Sequence, residues 1–148
     1  MLTAPARFIA LFALVIASQA TAQEGPEVLA GHVNRVRDGD TIVVSGQAVR
    51  LEGVDAPERD TAAGKDATLW MRRATHGKEA VCLLTGERTY DRVVGVCYVN
   101  LDGLDQDIGA AIIAAGHALD CRRHSGGRYR ELEPTNARFR IKPAPYCG

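Results

Sequence analysis

The chain has 148 residues, with 18 basic and 18 acidic side chains that cancel to a formal charge of zero. That length suits one hydrophobic core and argues against a catalytic cleft between two full domains. Balanced charge argues against a nucleic-acid coat protein, which binds by neutralising many phosphates at once, so any phosphate chemistry must rest on a few placed cations.

Arg7 precedes an apolar run over 8–17, and Ala20-Thr21-Ala22 offers small residues at a cleavage position. This is the pattern of a removed export signal over residues 1–22, leaving a domain over 23–148. The competing reading is a membrane anchor, but the run is well short of the roughly 20 apolar residues that cross a bilayer. Without Arg7 the remaining chain carries 17 basic and 18 acidic residues.

Residues 31–54 are rich in Val, Ile, Thr and Arg, with polar breaks at Asp38-Gly39 and Ser45-Gly46. They read as three consecutive antiparallel strands. Over 64–75, Ala67, Trp70, Met71 and Ala74 recur at the spacing of an amphipathic helix, and Gly77 follows as a stop. Strands are expected at about 79–84 and 93–99, bracketing a polar hairpin over 85–92. A second helix is expected over 105–115, with Ile108, Ala111, Ile112 and Ala115 on one face and Gly116 ending it. Beyond Cys121 the pattern fades: 129–132 reads as one helical turn, and Pro134 argues against a long terminal helix. Five strands with a helix between the third and fourth fit a five-stranded OB-fold barrel, a β-rich α+β architecture with two to three helices.

Cys82, Cys97, Cys121 and Cys147 form an even set in an expected exported domain, where disulfides persist. Three pairings are open. If the hairpin tip lies near Thr89 and Tyr90, Cys82 faces Cys97, and Cys121 is left to tie down the tail through Cys147. Zinc is the competing reading, but no two cysteines stand at C-x-x-C spacing. The histidines at 32, 76, 117 and 124 are dispersed and suggest no relay.

The chemically dense stretch is Asp38-Gly39-Asp40-Thr41 followed by Arg50-Leu51-Glu52-Gly53-Val54-Asp55-Ala56-Pro57-Glu58. Hard cations such as calcium take oxygens from carboxylates, carbonyls and water, which Asp40 and Asp55 can supply. Pro57 pushes Ala56 towards extended backbone, so the Ala56 carbonyl can join them. Glu58, just beyond, is placed to act as a base towards water, and Arg50 to meet phosphate oxygens in a bidentate manner. Strict strand alternation puts Arg50 and Asp55 on opposite faces, so the chain must leave the strand between them, with Gly53 the natural place. Singly these pieces have plainer readings as turn residues or surface charges.

Together these motifs, with the later Tyr90-Asp91-Arg92 before the strand Val93-Val94-Gly95-Val96, resemble the thermonuclease, or staphylococcal-nuclease-like, family over about 33–120. The resemblance implies a calcium-dependent nuclease that cuts DNA or RNA with little sequence preference, releasing the 5′ oxygen and leaving 3′-phosphorylated products. It implies Asp40, Asp55 and the Ala56 carbonyl as calcium ligands, with Asp38 and Thr41 supporting them. Glu58 is implied as general base, Arg50 and Arg92 as the phosphate arginines, and Tyr90 as a contact to substrate phosphate.

The chain departs from the family where Asp91 replaces a glycine, a change whose benign reading is a turn aspartate paired with Arg88 or Arg92. It departs again where Cys121-Arg122-Arg123-His124 replaces aromatics expected after the second helix. Base stacking there is expected to be weaker or different, while Arg122, Arg123, Arg128 and Arg130 are available to track a strand's backbone or to sit as solvated loop charge. The resulting expectation is a monomeric nuclease, periplasmic or secreted, not bound to a membrane after signal removal. The rivals are a non-catalytic OB module that binds nucleic acid or a protein, and a structural calcium-binding export protein.

Overall fold

A parallel meeting of two strands far apart in sequence closes the barrel. In the computed structural model, which describes residues 25–147, β1 (Val28–Asp38), β2 (Thr41–Val44) and β3 (Gln47–Leu51) form an antiparallel meander. After the two-residue strand β4 (Val54–Asp55) and helix α1 (Ala62–Thr75), β5 (Glu79–Thr89) pairs with β1, and β6 (Arg92–Leu101) pairs with β5. Strand β6 then lies parallel to β3, with Val49 opposite Val93, Arg50 opposite Val94 and Leu51 opposite Gly95. The five-stranded barrel expected from the sequence is thereby closed, with no free edge between β3 and β6. The expected leader over 1–22 lies outside the described residues.

The inward faces of these strands meet both longer helices in one core, in which Val33, Ile42, Val49, Met71, Ile108 and Ile112 are all fully buried. Helix α1 starts where Thr61 caps it, its Oγ1 accepting the Gly64 N–H at 3.0 Å. Ala67 and Met71 are buried as the periodicity requires, and Trp70 and Ala74 pack half-buried beside them.

Three boundaries differ from expectation. Strands β5 and β6 stay paired to a two-residue turn at Tyr90-Asp91, with a register shift between Leu84 and Arg88, so the hairpin is longer than 79–84 and 93–99. Residues 105–107 are strand, not helix: β7 (Leu104–Asp107) pairs with β6 and extends the sheet. Asp107 then ends the strand by accepting the N–H groups of Gly109 and Ala110, so α2 (Ile108–Ala114) begins only after it. Ala115 is exposed rather than buried, because this two-turn helix buries Ile108, Gly109, Ile112 and Ile113 and surfaces at its end.

Strand β8 (Leu119–Asp120) pairs with β4. Beyond it come short helices α3 (Arg122–Ser125) and α4 (Ala137–Arg140) and two 3-10 turns, Arg130–Leu132 and Pro145–Cys147. A small apolar cluster of Leu119, Ala137 and Ile141 seats this tail. Glu133 braces it, accepting from the Asp120 N–H at 2.8 Å and from Arg138 Nε and Nη2, each at 2.7 Å. Cys82 is joined to Cys97, its direct partner across β5 and β6, and Cys121 to Cys147. With every cysteine bonded, none is left for zinc. Among the described residues no helix is long and apolar enough to cross a membrane.

Met71 has no exposed surface and touches the centre of this core. Met71→Ala is expected to lower unfolding free energy by roughly 2–5 kcal/mol, read as a lower denaturant midpoint with an unchanged slope; a loss under about 1 kcal/mol would mean that α1 does not pack on the barrel as described.

Candidate active site

The site begins with strand register. Thr41 of β2 stands opposite Arg50 of β3, and Arg50 stands opposite Val94 of β6. Directly paired residues point to the same side of a sheet, as do residues two apart along a strand, so Thr41, Arg50 and Arg92 share one face. Their hydrogen bonds join there: Arg92 Nη1 donates to Thr41 Oγ1 at 3.1 Å, and Thr41 Oγ1 donates to Asp40 Oδ1 at 2.9 Å. Arg50 Nη1 pairs with the other carboxylate oxygen, Asp40 Oδ2, at 3.1 Å. Asp40 thus lies between the two arginines expected to contact phosphate.

The same Nη1 donates to the carbonyls of Val54 at 2.8 Å and Leu51 at 3.2 Å. These bonds hold the turn by which the chain leaves β3. Gly53 makes that turn with φ of +72°, a conformation that side chains other than glycine rarely adopt. The strand-alternation conflict between Arg50 and Asp55 is resolved there, since β4 starts afresh on a different partner. Asp38 supports the β1–β2 turn, its Oδ1 accepting the Asp40 N–H at 3.2 Å.

Glu58 is exposed at the lip of an open cleft of about 590 Å³ that Arg50, Tyr90 and Arg92 also line. Its backbone is held from behind: Thr61 Oγ1 donates to the Glu58 carbonyl at 2.7 Å, and a Cβ at Gly64 would fall 1.9 Å from that carbonyl oxygen. Only glycine in the first turn of α1 lets the Pro57-Glu58 loop lie this close. The signal for it was in the sequence, since glycine inside a helix is costly unless space demands it.

Tyr90 is 96% exposed and occupies left-handed backbone at φ of +56°, unusual for an aromatic residue. Asp91 pairs neither with Arg88 nor with Arg92. Its carboxylate instead takes a bidentate pair from Arg37 of β1, at 3.0 and 2.6 Å, which holds its pKa below the usual carboxylate range. Its direct partner is therefore Arg37, and Arg92 acts on it only as a nearby charge. Two of the four arginines considered for tracking substrate are also committed: Arg128 bonds Glu52 at 3.2 Å and lies over the Tyr129 ring at 4.6 Å, and Arg130 pairs with Glu133 at 3.8 Å.

The two carboxyls expected to hold a cation are separately engaged, Asp40 with Arg50 and Thr41 and Asp55 with the tail. Asp40 and Asp55 are both withdrawn from solvent, and burial raises both carboxyl groups, Asp40 to about 7 with a further push from Asp38 and an opposing pull from Arg50. Two buried carboxyls that resist ionising are what a bound cation relieves. Asp55 Oδ2 already accepts the Ala144 N–H at 2.8 Å, so its other oxygen is the one left for a metal. Among the described residues no three acidic, histidine or cysteine side chains converge; a cation held here would complete its shell with carbonyl and water oxygens.

Comparison with known proteins agrees with the fold. The family described as Staphylococcal nuclease homologue matches residues 48–139. A relative from Rhizobium meliloti (strain 1021), the succinoglycan biosynthesis protein ExoI, is 32% identical over 116 residues, covering 68% of this chain and 56% of its own length. An uncharacterized endonuclease from Escherichia coli is 35% identical over 92 residues, covering 60% of this chain and 58% of its own. The chain therefore spans a little over half the length of these curated relatives.

The raised Asp40 carboxyl has a consequence for stability. The folded chain keeps a proton there that the unfolded chain releases near 3.8, so this contribution is full below that value and is lost as pH rises through about 7. In chelator, Asp40→Asn, which keeps the neutral form, is expected to gain in Tm relative to the unsubstituted chain as pH climbs from about 4 to 8. A Tm difference that stays flat across that range contradicts the assignment.

Proposed function

Since the chain belongs to the staphylococcal nuclease homologue family, we propose that it is an exported, calcium-dependent nuclease hydrolysing phosphodiester bonds of DNA or RNA with little sequence preference. The observation that carries this reading is the convergence of Arg50, Arg92 and Glu58 on one cleft, with the two guanidinium groups tied together through Asp40 and Thr41.

In this reading Glu58 takes a proton from water as the water oxygen bonds to phosphorus, and the bond from phosphorus to the 5′ oxygen breaks as that oxygen leaves with a proton from solvent. Arg50 and Arg92 present planar forks to the phosphate oxygens on which negative charge accumulates. Arg50 is bound to Asp40, Leu51 and Val54 through Nη1 alone, which leaves the rest of its fork for substrate. Tyr90, fully exposed at the hairpin tip, meets the adjacent phosphate. Asp40, Asp55 and the Ala56 carbonyl hold calcium, with Asp38 and Thr41 supporting them; when bound, the ion supplies Lewis-acid polarisation of the phosphate and offsets the buried carboxylates. Two disulfides accord with a periplasmic or secreted location.

Glu58→Gln is expected to reduce kcat on a fluorogenic oligonucleotide by about 10²–10⁴-fold, and Arg50→Lys or Arg92→Lys by at least about 10²-fold, with circular dichroism unchanged. Chelator should abolish the signal and calcium restore it. Tight binding without cleavage by the unsubstituted chain would favour the binding-module reading, and cleavage indifferent to chelator would remove calcium from the mechanism.

A further inference from the structure

Tyr146 is an aromatic side chain with no part in the core. It is 52% exposed, and it lines the same 590 Å³ cleft as Arg50, Glu58 and Arg92. Two anchors, one on each side of it, hold it there. On one side the Ala144 N–H bonds Asp55 Oδ2 at 2.8 Å. On the other, buried Cys147 is joined to Cys121, which itself lines the cleft at the end of β8. The backbone on both sides of the ring is therefore fixed to the frame that carries the active site, β4 and β8.

This ring adds a third aromatic to the cleft, beside Tyr90 and His124. Arginines answer the phosphates of a nucleic-acid strand, and residues 121–124 bring to the cleft only Cys121, which is tied up in a disulfide, and the small ring of His124. Tyr90 is committed, in the proposed mechanism, to the phosphate beside Arg92. Tyr146 has the surface a base needs: an aromatic ring half open to solvent, on backbone pinned at both ends, lining the same cleft as Arg50 and Arg92.

We propose that residues 143–147 form a wall of the substrate cleft, that Tyr146 is the platform on which a nucleobase stacks, and that the Cys121–Cys147 bond keeps it in place. The inference rests on the nucleic-acid reading of the cleft. It assigns the base-binding role to a tail outside the residues matched by the family.

The test measures binding, in the Glu58→Gln background with calcium, of a fluorescent tetrathymidylate and of an abasic tetramer with the same phosphates. The Glu58→Gln chain should prefer the thymidine probe. Adding Tyr146→Ala should weaken that probe at least about fivefold, leave the abasic probe unchanged and so erase the preference, while Tyr146→Phe retains it. Adding Cys121→Ser with Cys147→Ser, which leaves Cys82–Cys97 intact, should erase it too. Equal affinity for the two probes before any change at Tyr146, or a preference that survives Tyr146→Ala, overturns the stacking role; a preference that survives the double serine change overturns the tether. Cleavage by the unsubstituted chain is scored alongside. If it cleaves while Tyr146→Ala changes nothing, the platform fails and the nuclease reading stands; if Tyr146 behaves as expected without cleavage, the platform stands and hydrolysis falls.

Discussion

One buried carboxylate organises this molecule. Asp40 sits between Arg50, paired at 3.1 Å, and Thr41, through which it reaches Arg92. Burying a carboxylate is expensive, and the neighbouring guanidinium offsets only part of that cost. Replacing the whole Asp40–Arg50 pair by well-packed apolar residues would serve the barrel's stability at least as well. Retaining charge at this spot therefore makes sense as the construction of a site: strands β2, β3 and β6 each contribute one member, and barrel closure is what brings the three into register.

Around that point the chain repeatedly uses close backbone approach to place exposed groups. Glu58 is aimed by a loop that lies against the first turn of α1, with no room for a side chain at position 64. Tyr90 is aimed by a two-residue turn in a conformation it would not choose alone. Asp91 clasps Arg37 on β1, which links the hairpin tip to the strand leading into the Asp40 turn. An acidic residue that in sequence looks opposed to phosphate binding is, in three dimensions, a brace for the hairpin that carries Tyr90 and Arg92.

The tail follows a different logic. Residues 122–147 hold only short helical turns, Tyr129 seated in the main core and one small apolar cluster, and beyond Ile141 no apolar side chain among the described residues but that of Cys147 is buried. The Cys121–Cys147 bond, the Glu133–Arg138 pair and the Ala144 contact to Asp55 supply the missing constraint. A segment without a long terminal helix can thus reach back to the cleft. The proposed base platform depends on this covalent return.

Local chemistry was enough to read much of this from the amino-acid order. The Val, Ile and Thr richness of β1 to β3 with its polar breaks, the apolar stripe of α1, the Asp38-to-Thr41 turn and the acid-rich run to Glu58 are encoded by neighbours within a few residues, and so was Gly53 as the place for the chain to turn. The start of α2 was misplaced because residues 105–107 carry no signal of the β6 partner that makes them a strand. The partner of Asp91 was misassigned for the same reason, Arg37 being 54 positions away. Periodicity and turn chemistry act within one or two turns of chain and so are written in the sequence. Which cation meets which carboxylate, and whether Tyr146 reaches the cleft, depend on barrel closure and disulfide geometry, which exist only once distant segments have packed.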